Sequence, residues 1–178
     1  MMTFLLRTAL ILIVMSFLLI AALANTKSAP KEDAEIIFYK RGKKTVLSQQ
    51  SPYFKELRQK CEEFLSSSTD ALRDFISEEK VSAIKKNESA LEVVYKRPKE
   101  IEIPFFGIKR KADHLLIPLT GGYADIEEGL RAGVFFYGPG YGPDYLGPYW
   151  APRGVIEIKA ILQKMGINID AETLDQKD

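Results

Sequence analysis

"ALEVVYKRPKEIEIPFF" (residues 90–106) is where the period of this chain changes. Leu91, Val93 and Tyr95 alternate with their neighbours, and Ile101, Ile103 and Phe105 do so again. A two-residue apolar period marks a strand with one buried face. Arg97-Pro98 lies between the two runs and reads as a turn, so the stretch predicts an antiparallel hairpin. Pro104 cannot donate to a ladder and pushes the second strand toward an edge or a bulge.

Downstream, "DHLLIPL" (113–119) and "GVFFYG" (133–138) read as two further strands. Upstream, "EIIFY" (35–39) is a first strand, followed by a turn around Gly42 in "KRGKK". Between these lie helical spacings. Ser51-Pro52 is a start signal, and Tyr53, Phe54, Leu57, Cys61, Phe64 and Leu65 follow at helical intervals until serines 66 to 68. A second helix is expected from Thr69 or Asp70, with Leu72, Phe75, Ile76, Ala83 and Ile84 as its apolar side. Val155, Ile158, Leu162 and Met165 predict a last helix, with Pro152 at its start and Gly166 at its end; Ile156 and Ile158 around Glu157 leave a strand as the alternative. The order predicts an α+β domain: an antiparallel sheet of about four to five strands covered by two N-terminal helices and one C-terminal helix, following an N-terminal export segment.

That export segment is residues 1–24. Arg7 precedes an uncharged apolar run from Thr8 to Ala24, which ends in Ala22-Leu23-Ala24, a small-x-small cleavage pattern. The run is long for a signal core and at the lower limit for a membrane span, so a signal peptide cleaved after Ala24 and an uncleaved anchor are both expected forms. Residues 25–34 read as a polar linker, 35–169 as one domain and 170–178 as a polar tail. Either form places the domain outside the cytoplasm, secreted or tethered at the envelope.

The chain carries 25 basic and 24 acidic residues, and losing Arg7 makes the exported part formally neutral. A nucleic-acid partner is not expected from such a balance. Cys61 is the one cysteine, so no internal disulfide is available. It falls on an apolar helix face and reads as a small core residue. His114 is the one histidine; Asp113 beside it points to the opposite face of a strand, and a structural role is the plain expectation. No zinc-ligand spacing, nucleophile elbow or phosphate-binding glycine motif occurs, so no metal, cofactor or catalytic residue is assigned. Carboxylates such as Glu78-Glu79, Asp125, Glu127-Glu128 and Asp144 read as solvated charges. Three basic clusters, 40–44, 96–99 and 109–111, fall at expected turns. They read as charges that keep the chain soluble and protect the sheet ends; with an uncleaved anchor the first would meet an anionic membrane surface.

The unusual feature is "YGPGYGPDYLGPYWAPRG" (137–154), where Tyr137, Tyr141, Tyr145 and Tyr149 recur every fourth residue and Trp150 follows. Its glycines and prolines forbid a continuous helix and predict a chain of turns. Tyrosine and tryptophan give large contact area with few rotatable bonds. Tyr137, Tyr141, Tyr145, Tyr149 and Trp150 are therefore the expected binding residues of a non-enzymatic envelope module, with a protein, peptide or polysaccharide as partner. Two alternatives stand beside it: a carboxylate-dependent hydrolase with a pocket beside the same loop, and a membrane-anchored structural accessory.

Overall fold

The computed structural model describes residues 33–124, 131–138, 145–152 and 154–169. The expected export segment, the expected polar tail and Tyr141 lie outside them. In chain order the elements are β1 (Ala34–Lys40), β2 (Lys43–Val46), α1 (Phe54–Ser66), β3 (Asp70–Ile76), α2 (Glu78–Asn87), β4 (Ser89–Ile103), a 3₁₀ turn (Pro104–Phe106), β5 (Ile108–Pro118), β6 (Arg131–Tyr137), β7 (Tyr145–Pro152) and α3 (Gly154–Lys164). Among the described residues this is a mixed α and β domain with one sheet in the order β2-β1-β4-β5-β6-β7-β3, every neighbouring pair antiparallel. No helix among these residues is long and apolar enough to cross a membrane.

Among the described residues the expected four to five strands are seven: β2, β3 and β7 are added, and the two strands expected within 90–103 are one, β4. Residues 70–76 form a strand on β7 rather than the first half of a helix. The second helix instead starts after Ser77, whose extended backbone and side-chain oxygen cap Lys80 N–H. Glu78 and Glu79 in its first turn and Lys85 and Lys86 in its last suit the helix dipole. Residues 145–152 are also a strand, where turns were expected.

The hairpin at Arg97-Pro98 is a correction too. β4 runs straight through it: Val94 is paired with His114 and Lys99 with Ala112, so five steps on β4 oppose two on β5. The surplus residues form a wide bulge, where Pro98's missing N–H costs no ladder bond. On its other side β4 stays in register with β1, where Lys96 N–H donates to the Asp33 carbonyl at 2.8 Å. The real turn lies at 104–107, closed by Gly107 with φ of 61°.

The helices do not gather on one face. α1 leads from the β2 edge to β3 at the far edge, and α2 leads back to β4 in the middle. α1 buries Phe54, Leu57, Cys61, Phe64 and Leu65, which share a core with Leu91, Val93 and Tyr95 of β4 and Val155, Ile158 and Leu162 of α3. α2 covers the opposite face, where Val81 and Ile84 meet Ala90, Leu116, Phe135 and Tyr145. α3 ends as expected: Gly166 takes φ of 77°, while Gly166 N–H and Ile167 N–H return to the Gln163 and Leu162 carbonyls. α1 begins two residues later than its signal, with Ser51 holding the Tyr53 amide in the preceding turn.

Candidate ligand-binding site

Strand alternation sends Leu91, Val93 and Tyr95 into the α1 face and leaves Glu92 on the other. In a sheet open on one side that would be a solvated carboxylate. Here α2 closes over it, and Glu92 is 3% exposed. A buried charge must be neutralised and hydrogen-bonded. Lys85 of α2 supplies the charge, with Nζ 2.6 Å from Oε1. The Tyr145 hydroxyl donates to the same oxygen at 2.7 Å, and the Tyr39 hydroxyl donates to Oε2 at 2.8 Å. His114 Nδ1 lies 3.3 Å from Oε1. Five elements thus converge on one carboxylate: β1, α2, β4, β5 and β7.

Burial by itself would raise the Glu92 pKa. The hydrogen bonds from His114, Lys85 and Tyr145 outweigh it and bring the value down to about 2. Glu92 is therefore ionised across the ordinary pH range, and both oxygens are engaged. It cannot serve as a general acid; it orients what surrounds it. Burial, then the Glu92 charge, pushes both the Tyr145 and Tyr39 phenols up, so both remain donors. An ionised carboxylate only accepts, so the His114 nitrogen facing it carries the proton. In a neutral imidazole that places the lone pair on Nε2.

Above the carboxylate is an open pocket of about 340 Å³ lined by Glu78, Val81, Ser82, Lys85, Glu92, His114, Tyr137 and Tyr145. The α2 members sit at positions i, i+3, i+4 and i+7, which is one helix face. The His114, Tyr137 and Tyr145 rings form a cluster, with centroids 5.7 to 6.5 Å apart. The Lys85 ammonium lies 5.2 Å from the Tyr39 ring centroid and 5.7 Å from that of Tyr145.

The structure parts the aromatic residues expected to act together. Tyr137 and Tyr145 line the pocket. Tyr149 faces the other way, 4% exposed, with its ring against Phe106 and Phe136. Trp150 returns to the α2 face but stacks on Tyr123, 6.1 Å between centroids. The cause is a one-residue bulge. Val134 pairs with Tyr149 and Phe136 with Leu146, so β7 spends three steps where β6 spends two. Gly147 absorbs the extra residue at φ of 128°. An odd insertion inverts face parity, so Tyr145 and Tyr149, which an unbroken strand would align, are opposed.

No family model, curated protein or solved structure matches this chain. The function rests on the site itself.

Sequence reasoning missed Glu92, Lys85 and Tyr39. A signal was present: Glu92 is the one charge inside "ALEVV", and Lys85 directly follows Ile84 on a helix that buries Val81 and Ile84. Cys61, by contrast, is where it was expected, fully buried, with burial and then Glu62 pushing its thiol pKa up. Among the described residues no group of three His, Cys, Asp or Glu side chains is placed to hold a metal ion.

Proposed function

We propose that this chain is an exported, envelope-associated binding module whose ligand site is the pocket above Glu92. One observation carries the reading. A buried, ionised carboxylate is held by four donors directly beneath an open pocket, and three of them, Lys85, His114 and Tyr145, are themselves pocket walls. Such a network fixes the positions of Lys85, His114 and Tyr145 before any ligand arrives, which lowers the ordering cost of binding. The volume lies at the small end of the roughly 300–1,000 Å³ range of small-molecule sites. In this reading Tyr137 and Tyr145, which line the pocket, are contact residues. Trp150, stacked on Tyr123 on the same sheet face, is a second aromatic surface for an extended partner.

The test is amide chemical-shift mapping with a soluble digest of envelope polysaccharide. Shifts centred on Ser82, His114 and Tyr137 support the reading, and shifts elsewhere or none overturn it. Export is tested separately by intact mass, a chain beginning at Asn25 being the expected product.

A second reading is favoured by the Glu92–His114 contact, which orients the imidazole, together with Glu78 on the same pocket wall. That arrangement fits a hydrolase. Release of reducing ends from the polymer by the native chain, lost in His114→Ala, would select this reading over simple binding.

A further inference from the structure

The pocket wall has a chemical bias that narrows its ligand. Its wall carries two carboxylates, Glu78 and Glu92, and one ammonium, Lys85. Lys85 is already committed to Glu92. What remains is the exposed carboxylate of Glu78, which repels an anion. A cation fares no better, since the Lys85 ammonium already occupies the space against the Tyr39 and Tyr145 rings. The remaining polar groups are mixed: the second ring nitrogen of His114, carboxylate oxygens on Glu78, and hydroxyls on Ser82 and Tyr137 that both donate and accept. Beside them stands the half-buried Tyr137 ring, tilted 34° from that of Tyr145.

We propose that the pocket binds one or two units of a neutral, hydroxyl-rich saccharide, with one sugar hydroxyl donating to His114 Nε2 and the sugar's apolar face against Tyr137. The proposal rests on reading the pocket as the binding site. A saccharide matches the wall in each respect. It has no net charge, it carries donors and acceptors in equal measure, and its C–H face suits an aromatic ring. The Glu92 contact supplies the selectivity this binding mode requires: with the Nδ1 proton turned to Glu92, a neutral imidazole offers Nε2 only as an acceptor. A ligand that can only accept at that point leaves two lone pairs facing each other.

The full exported chain is titrated with maltotriose, cellotriose, chitotriose, trigalacturonate and spermidine, and the amide signals of Ser82, His114 and Tyr137 are followed. At least one neutral trisaccharide is expected to move all three, and His114→Phe is expected to weaken its binding at least tenfold. If only trigalacturonate or spermidine moves these amides, the ligand class is wrong and the pocket reading stands. If none of the five does, the proposal and the pocket reading fall together. His114 is the one histidine, so its imaginable replacement is not the sole handle: the imidazole ¹⁵N spectrum of the native chain holds a single residue. Its Nε2 resonance must move on titration even if His114→Phe does not fold, and an unmoved resonance overturns the acceptor role.

Discussion

The Tyr145 hydroxyl donates to Glu92 Oε1 at 2.7 Å, joining residues 53 apart in the chain. It ties the start of β7 to the middle of β4, across β5 and β6. The bond belongs to a network centred on one charge, so its members are energetically coupled.

Glu92→Gln keeps an acceptor for the two tyrosines but leaves the Lys85 ammonium without its partner. Breaking a buried pair on one side is expected to cost about 3–5 kcal/mol. Urea unfolding should show this loss, and Lys85→Met in the Glu92→Gln background should recover a large part of it. A double variant no more stable than Glu92→Gln alone would remove the ion pair as the cause.

Acid should weaken the fold through the same residue. The Glu92 pKa falls from an ordinary 4.5 to about 2 on folding. A depressed carboxylate stabilises fully above its unfolded value, and the contribution fades as pH drops from about 4.5 toward 2. The amount at stake is on the order of 3 kcal/mol. Stability measured against pH should fall through that window in the native chain and lose most of this slope in Glu92→Gln.

Gly147→Ala should destabilise by about 1–3 kcal/mol from backbone strain alone, since a Cβ disfavours φ of 128°. The added carbon would also stand 2.8 Å from the Val134 carbonyl oxygen, which must then shift. Thermal unfolding measures the loss, and an unchanged midpoint would contradict the bulge.

Tyr149→Ala and Tyr137→Ala should separate core from site. Tyr149 is packed against Phe106 and Phe136, and its truncation is expected to cost about 3–5 kcal/mol. Tyr137 is half-buried, so its loss should cost less stability and weaken ligand binding more. Calorimetry on both variants, with ligand titration alongside, reads the two effects independently.

The antiparallel sheet and the α1 face were legible because period-two and helical spacings survive locally. Leu91, Val93 and Tyr95, and Phe54, Leu57, Cys61 and Phe64, each mark their own buried side. The boundary at Ser77 was hidden by Thr69, an equally good cap eight residues earlier. Arg97-Pro98 resembled a turn because a wide bulge and a turn share the same residue chemistry. The candidate site was the least legible. Glu92 is unusual only because α2 crosses back over it, and that crossing follows from β3 pairing with β7, a long-range contact that no local pattern encodes. In the same way Gly147 hid the separation of Tyr145 from Tyr149, since one bulge residue inverts a spacing that looks regular.

The place of β3 also sets an order of events during synthesis. Residues 70–76 emerge early, but their partner strand begins at Tyr145, some seventy residues later. Until then β3 has no neighbour, and the two helices flanking it cross a sheet whose far half has not been made. A nascent chain cut short before Tyr145 therefore cannot close its sheet edge. β3 is thus the sheet edge whose pairing waits on the last strand of the chain.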